Sequence, residues 1–208
     1  MTQLTEPTDQ RLAKGARARA TIARRAAELA SVEGLDGLSI GRLATDLGLS
    51  KSGIATLFGT KEALQLAAVQ AGRDIFVQRV IAPSLAVPRG IDRIRTLLDR
   101  WFAHIDEPPF PGGCFRVATL TEFSSKTGPV RDAVVADHAE WLGFLAAELT
   151  KARELGALSG VDPDLLAFEL DAIVSAANIA RQTGDPSRVD AARMIAARLL
   201  STAPATGE

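Results

Sequence analysis

The stretch from Ser39 to Lys61, SIGRLATDLGLSKSGIATLFGTK, constrains the fold more than any other part of the chain. In its first half Ile40, Leu43, Ala44 and Leu47 recur at i, i+3, i+4 and i+7, which puts them on one buried stripe of a helix. Ser39 stands just before that stripe and is suited to cap it, because its hydroxyl can accept a hydrogen bond from a first-turn N–H that has no helical partner. Gly48 follows, and a residue that tolerates positive φ is what a sharp bend after a helix demands. Ser50 is placed to cap a second helix in which Ile54, Leu57 and Phe58 share a face. Two short amphipathic helices around a glycine turn form a helix-turn-helix, whose second helix enters the DNA major groove. The spacing predicts a DNA-binding chain.

The flanking segments read as helices too. Ala18, Ile22, Ala26 and Leu29 mark a helix from about Arg11 to Glu33, stopped by Gly34 and preceded by a polar stretch, residues 1–10, expected to be disordered. Thr60 can cap a helix that starts at Lys61 and is expected to end before Pro83. A linker with Pro88 and Gly90 leads into Ile91–Glu107, and Pro108, Pro109, Pro111, Gly112 and Gly113 break the chain again. Further helices are expected at about Cys114–Ser124 and Pro129–Leu155. Asp162-Pro163 and Asp185-Pro186 each open another, the Asp as cap and the Pro at the first helical position, where its missing N–H costs nothing. No strand-like alternation and no solenoid repeat is visible, so the fold class is all-α. The expected division is a helix-turn-helix domain at 11–60 and a ligand-binding and dimerisation domain at 61–203.

Composition narrows the function classes. Hydrophobic residues are 47% of the 208, enough for a helical core, and the formal net charge is −1. The charge is uneven: residues 1–64 hold nine Lys/Arg against seven Asp/Glu, and the remainder fifteen against eighteen. Arg11, Lys14, Arg17, Arg19, Arg24 and Arg25 follow one another with no acidic residue between, so the N-terminal end is the one that can meet phosphate. Cys114 is the only cysteine, which rules out an intrachain disulfide. No signal peptide and no apolar run approaching the ~18 residues of a membrane span is present, and a soluble cytoplasmic protein is expected. No metal-ligand spacing, phosphate loop or nucleophile elbow occurs, so neither catalytic residues nor a metal or other cofactor is expected. Glu122, Asp137 and Glu140 read as scattered carboxylates on solvated helix faces.

The segment from about Arg19 to Leu66, with its basic first helix, G-L-S-I-x-x-L-A-x-x-L-G-L-S-K-S-G and F-G-T-K-E-A-L, resembles the N-terminal domain of tetracycline-repressor (TetR) type regulators. P-G-G-C-F and G-P-V-R-D resemble, more loosely, the regulatory domain of one branch of that family. The resemblance implies a ligand-responsive transcriptional regulator that acts as a repressor. It also implies a homodimer joined through the last two helices, so that two recognition helices lie about one DNA turn apart on a palindromic double-stranded operator.

Candidate DNA-contacting residues are those off the apolar stripes: Lys51, Ser52, Gly53, Ala55 and Thr56 on the recognition helix, and Ser39, Arg42 and Thr45 on the helix before it. Lys51 suits phosphate, Thr56 a base or phosphate, and Ala55 a thymine methyl. Lys61 matches a family position that contacts the DNA backbone. Many relatives carry an aromatic residue and a His where this chain has Ala55 and Leu57, which keeps open an alternative: a small-molecule-binding helical protein with a weakened or vestigial DNA-binding head. A helical dimer without a ligand is a third reading. For a small, largely apolar effector, the C-terminal candidates are Trp101, Phe102, Phe115, Phe123 and Trp141, with His104 and His138 as hydrogen-bonding groups and Cys114 as a sensor thiol. Each of these also suits a plain packed core. Leu166, Leu170, Ile173, Val174 and Ala177, with Val189, Ala192, Ile195, Ala196 and Leu199, are the apolar residues read as the subunit interface.

Overall fold

The computed structural model describes residues 7–201, and within them the chain is helical with no strand. Nine helices run α1 (Pro7–Glu33), α2 (Ile40–Leu47), α3 (Lys51–Phe58), α4 (Lys61–Phe76), α5 (Ile91–Asp106), α6 (Phe115–Phe123), α7 (Pro129–Glu154), α8 (Pro163–Gln182) and α9 (Pro186–Leu199). The capping side chains fall where expected. Ser39 Oγ accepts from Arg42 N at 3.1 Å, Ser50 Oγ from Gly53 N at 3.0 Å, and Thr60 Oγ1 from Ala63 N at 3.0 Å. Asp162 and Asp185 cap α8 and α9, and Gly48 closes α2 in the left-handed region with φ 62°.

Two boundaries differ from expectation. The first helix starts at Pro7, so residues 7–10 are helical, while 1–6 lie outside the described residues. A proline at the first helical position is pre-set for the helix, and the polar residues that follow it in the sequence carry no apolar periodicity to announce it. Pro83 does not end the fourth helix either. After Phe76 the chain widens into a π-helical turn, Val77–Ile81, then continues through a short turn at Ala82–Ser84 that contains the proline. The N–H of Ala82 reaches back to the Val77 carbonyl, one residue further than in an α-helix. Pro83 has no N–H to give to Arg79 and would crowd that carbonyl in a regular helix; the wider turn accommodates it.

Two buried clusters make the interior. One lies under the helix-turn-helix, with Ile22, Ala26, Leu35, Leu43, Ile54, Phe58 and Leu64, and is completed by Phe110, Phe115, Phe123, Val130 and Val134 from the second half of the chain. The other joins Phe76 and Val80 to Trp101, Trp141, Leu145, Leu149 and the inner faces of α8 and α9. Of the residues read as a subunit interface, Leu166, Leu170, Val174, Ala177, Val189, Ala192 and Ala196 turn inward and are buried within one subunit. Leu165, Phe168, Ile179, Met194 and Ile195 are the large apolar residues α8 and α9 leave exposed. Both helices are apolar on two stripes, and periodicity alone does not tell which stripe meets the core.

Candidate nucleic-acid interface and effector cleft

On α3, Ile54 and Phe58 are buried while Lys51, Ser52, Gly53 and Thr56 are exposed and Ala55 is half-buried. The outward row begins at the helix N-terminus, where unpaired amides add a positive end to the lysine. Lys51 lies over α2, its Cε 3.3 Å from where a side chain on Gly41 would begin, and forms no ion pair among the described residues. Thr56 donates to the Ser52 carbonyl at 2.8 Å and Thr45 to the Gly41 carbonyl at 3.1 Å, so both hydroxyls keep acceptor capacity outward.

Other expected DNA contacts are engaged within the protein. Arg42 donates to Glu33 at 2.6 and 3.2 Å, and the same carboxylate raises its pKa. The Lys61 amine donates to the Asp36 carbonyl at 2.5 Å. Ser39 Oγ serves as the α2 cap. The Arg19 guanidinium donates to the Leu57 carbonyl and lies 4.4 Å over the Phe58 ring, closing the C-terminal end of α3 rather than facing outward. Arg25 ties α1 to α2 through Asp46 at 2.6 and 3.0 Å and holds that carboxyl below its usual range. Apart from the Ser39 cap, these hydrogen-bond partners sit 9 to 38 residues away in sequence, beyond the reach of helical periodicity.

The turn between α1 and α2 is held from the far half of the chain. Glu122, on α6, accepts from Leu35 N and Asp36 N, both at 2.8 Å. Lys126 pairs with the Asp36 carboxylate at 2.8 Å and lowers its pKa. Gln65 donates to the Leu35 carbonyl at 2.8 Å, and Gly112 N donates to Ser31 Oγ at 3.1 Å. Glu122 is thus no idle surface carboxylate: it satisfies two backbone donors at the entrance to the helix-turn-helix.

A cleft of about 260 Å³ opens between α4 with its π-helical turn, α6 and α7. Phe76, Val77, Ile81, Trp141 and Phe144 form its apolar walls, and Arg73, Arg116, Asp137 and Glu140 its polar part. Arg116 Nε meets Asp137 at 2.6 Å, and its guanidinium lies 4.5 Å over Phe76 and 5.6 Å from Trp141. Arg73 bridges Asp137 at 3.3 Å and Glu140 at 2.6 Å. Trp141 stands edge-on to Phe76 and Trp101, and its Nε1–H donates to Asp171 at 3.1 Å. Burial pushes the Asp171 carboxyl up. Other depressions are roomier, among them one of about 540 Å³ between α1 and α4 and two on the helices of the second half. That between α8 and α9, about 670 Å³, follows their exposed face, and that between α5 and α9, about 500 Å³, opens beside Ser201, where the described chain ends.

Of the residues expected to line an effector pocket, Trp141 faces the cleft. Trp101 backs it, and Phe102 lies under Arg193 beside the α5–α9 depression. His104 is buried edge-on to Phe76, its pKa pushed down to about 4 by burial and by Arg79 and Arg116. Cys114 is buried, which raises its thiol pKa and disfavours the thiolate a sensor needs. Phe115 and Phe123 turn towards the head core, and His138 lies 3.6 Å from Asp171. Asp137, Glu140, Trp141 and Phe144 stand at i, i+3, i+4 and i+7 on α7; that mixed acidic and aromatic face was the signal available in the sequence, and Asp137 belongs to the cleft while Glu140 stands exposed at its rim.

A helix-turn-helix head buttressed by a helical bundle that contains a cleft defines a transcriptional regulator. The description "Tetracyclin repressor-like, C-terminal domain" matches residues 90–196. The fold is similar to a TetR transcriptional regulator from Chloroflexus aurantiacus J-10-FL, 28% identical, covering 91% of this chain and 96% of that one with a TM-score of 0.81. It is also similar to AibR in complex with isovaleryl coenzyme A and operator DNA (23% identity, 76% and 84% coverage, TM-score 0.64). A third similar structure is a regulator from Saccharomonospora viridis in complex with choline (22% identity, 90% and 97% coverage, TM-score 0.71). No curated protein sequence gave a significant match. The chain belongs to the TetR family of transcriptional regulators. Among the described residues no helix is long and apolar enough to cross a membrane.

Proposed function

We propose that the chain is a homodimeric repressor, released from a palindromic operator when a small, largely apolar effector enters the cleft between α4, α6 and α7. Residues 11–60 would read DNA, with Lys51, Ser52, Gly53, Ala55 and Thr56 facing the groove, and 61–203 would bind effector and partner. The observation that carries the reading is Glu122: the helix that contributes Arg116 to the cleft also holds the backbone of the α1–α2 turn. The AibR and choline complexes support effector and operator as the two ligands of such a fold. An effector acts only if it prefers the arrangement that does not fit DNA, since equal affinity for both shifts nothing. A repressor of this kind works in the cytoplasm.

Dimerisation would use the exposed apolar residues of α8 and α9, Leu165, Phe168, Ile179, Met194 and Ile195. Large apolar side chains left exposed on two adjacent helices suit an interaction surface. Phe168→Asp with Met194→Asp is expected to give monomers in sedimentation and to abolish tight operator binding. Gel retardation with DNA flanking the protein's own gene tests the whole reading: sequence-specific retardation supports it, and a folded dimer that never retards such DNA sinks it.

A further inference from the structure

The four charges of the cleft are not equally buried. The side chains of Arg116 and Asp137 are 11% and 15% exposed, Arg73 is 36% exposed and Glu140 is 62% exposed. Asp137 is shared, meeting Arg116 at 2.6 Å and Arg73 at 3.3 Å, while Arg116 Nη2 also donates to the Asp137 carbonyl at 2.9 Å. Taken by themselves the inner three groups carry a net charge of +1; Asp74 and Asp171 also act on Arg73 and Arg116, and Glu140 offsets the charge from the water side, 2.6 Å from Arg73. An exposed pair of this kind contributes little, so Glu140 is easily displaced. A carboxylate inside the cleft would be less screened and could engage a planar guanidinium with two bonds.

We propose that the effector is a compact monocarboxylate with an apolar or aromatic body: its carboxylate takes the place of Glu140 on Arg73 beside Arg116, and its body lies on Trp141 and Phe144. This rests on reading the cleft as the effector site. Cations are disfavoured because the aromatic faces already hold one: the Arg116 guanidinium covers Phe76 at 4.5 Å, and evicting it would strip the largely shielded Asp137 of its nearest partner. The wall offered by Trp141 is apolar, since its one donor is committed to Asp171. The volume, about 260 Å³, lies below the range of about 300–1,000 Å³ that drug-sized ligands occupy, hence a compact body. Val77 and Ile81 bring the π-helical turn to the cleft, a backbone irregularity frequent at functional sites. A carboxylate drawing on Arg116 acts on α6, and α6 carries Glu122.

The test uses three probes with one ring and different charge: phenylacetate, phenylacetamide and 2-phenylethylammonium, titrated into the full-length protein by calorimetry and tryptophan fluorescence. Phenylacetate is expected to bind at least about tenfold more tightly than either of the others. Glu140→Gln, a change at an exposed side chain, should tighten the carboxylate several-fold, and Arg73→Gln should weaken it about tenfold. Absence of carboxylate binding, equal or tighter binding of the amide or the ammonium, or unchanged affinity in Glu140→Gln overturns the proposal. Operator retardation measured on the same ligand-free protein separates the two readings: retained retardation with any of those results leaves the regulator standing and removes the carboxylate.

Discussion

The ring of Phe115 fills the space a side chain on Gly72 would need: a methyl group there would lie 2.3 Å from Phe115 Cδ1. This contact brings α6 against α4 and is open to one residue type alone. Gly72→Ala should remove helix-propensity strain of about 1 kcal/mol yet destabilise overall, because overpacking of a rigid ring typically costs about 1–3 kcal/mol. Urea midpoints check it. A rise in stability would mean that Phe115 moves aside freely and that α6 is not fixed to α4.

Glu122 accepts two backbone N–H groups with one carboxylate. Glu122→Gln keeps the shape but loses the charge and one acceptor, and a loss of about 1–2 kcal/mol is expected. The more telling readout is operator affinity, which should fall further than the change in global stability accounts for. Equal operator binding by the variant would sever the α1–α2 turn from α6.

His104 predicts an acid weakness. Its folded pKa lies near 4 against an ordinary 6.5, with burial the largest cause, so the unfolded chain binds the proton first. Stability from this group is complete above about pH 6.5 and is lost as pH falls toward 4, by roughly 3 kcal/mol at most. Among the described residues its Nδ1 finds no hydrogen-bond partner, so an apolar replacement removes a buried orphan. His104→Leu should match or exceed the wild type at neutral pH and flatten the decline between pH 6.5 and 4. Superimposable pH profiles of the two proteins would discard the assignment.

Gly53 tests the groove side of α3. An alanine there would meet only Ser50 Oγ, at 3.0 Å, so the helix-propensity gain of about 1 kcal/mol is partly offset by the disturbed cap. Thermal stability should therefore change little, while a methyl on the outward face should lower operator affinity. Undiminished DNA binding would show that the backbone at residue 53 does not approach the duplex.

The elements were legible because they are written in local chemistry: Ser39, Ser50, Thr60, Asp162 and Asp185 each cap the helix they precede, and Gly48 turns where a left-handed residue is needed. Periodicity also separated buried from exposed residues on α3. It did not say which buried neighbour each side chain would meet. Phe115 and Phe123 have the look of pocket aromatics and face the head; Arg42, Arg19 and Lys61 have the look of phosphate contacts and are engaged by Glu33, Leu57 and Asp36. Arg116 was not singled out at all, because its meaning depends on Asp137 and Phe76, which reach it from two other helices.

The core beneath the helix-turn-helix contains Phe110, Phe115, Phe123, Val130 and Val134 beside Leu35, Leu43 and Ile54. A fragment cut after α3 would leave that core open on one side, and a chimera that joined this head to a relative's body would place its seam through packed side chains rather than through a tether. The reading head is therefore not a portable cassette. If the outer row of α3 reads the operator as proposed, exchanging its specificity is a matter for single residues there, not for grafting.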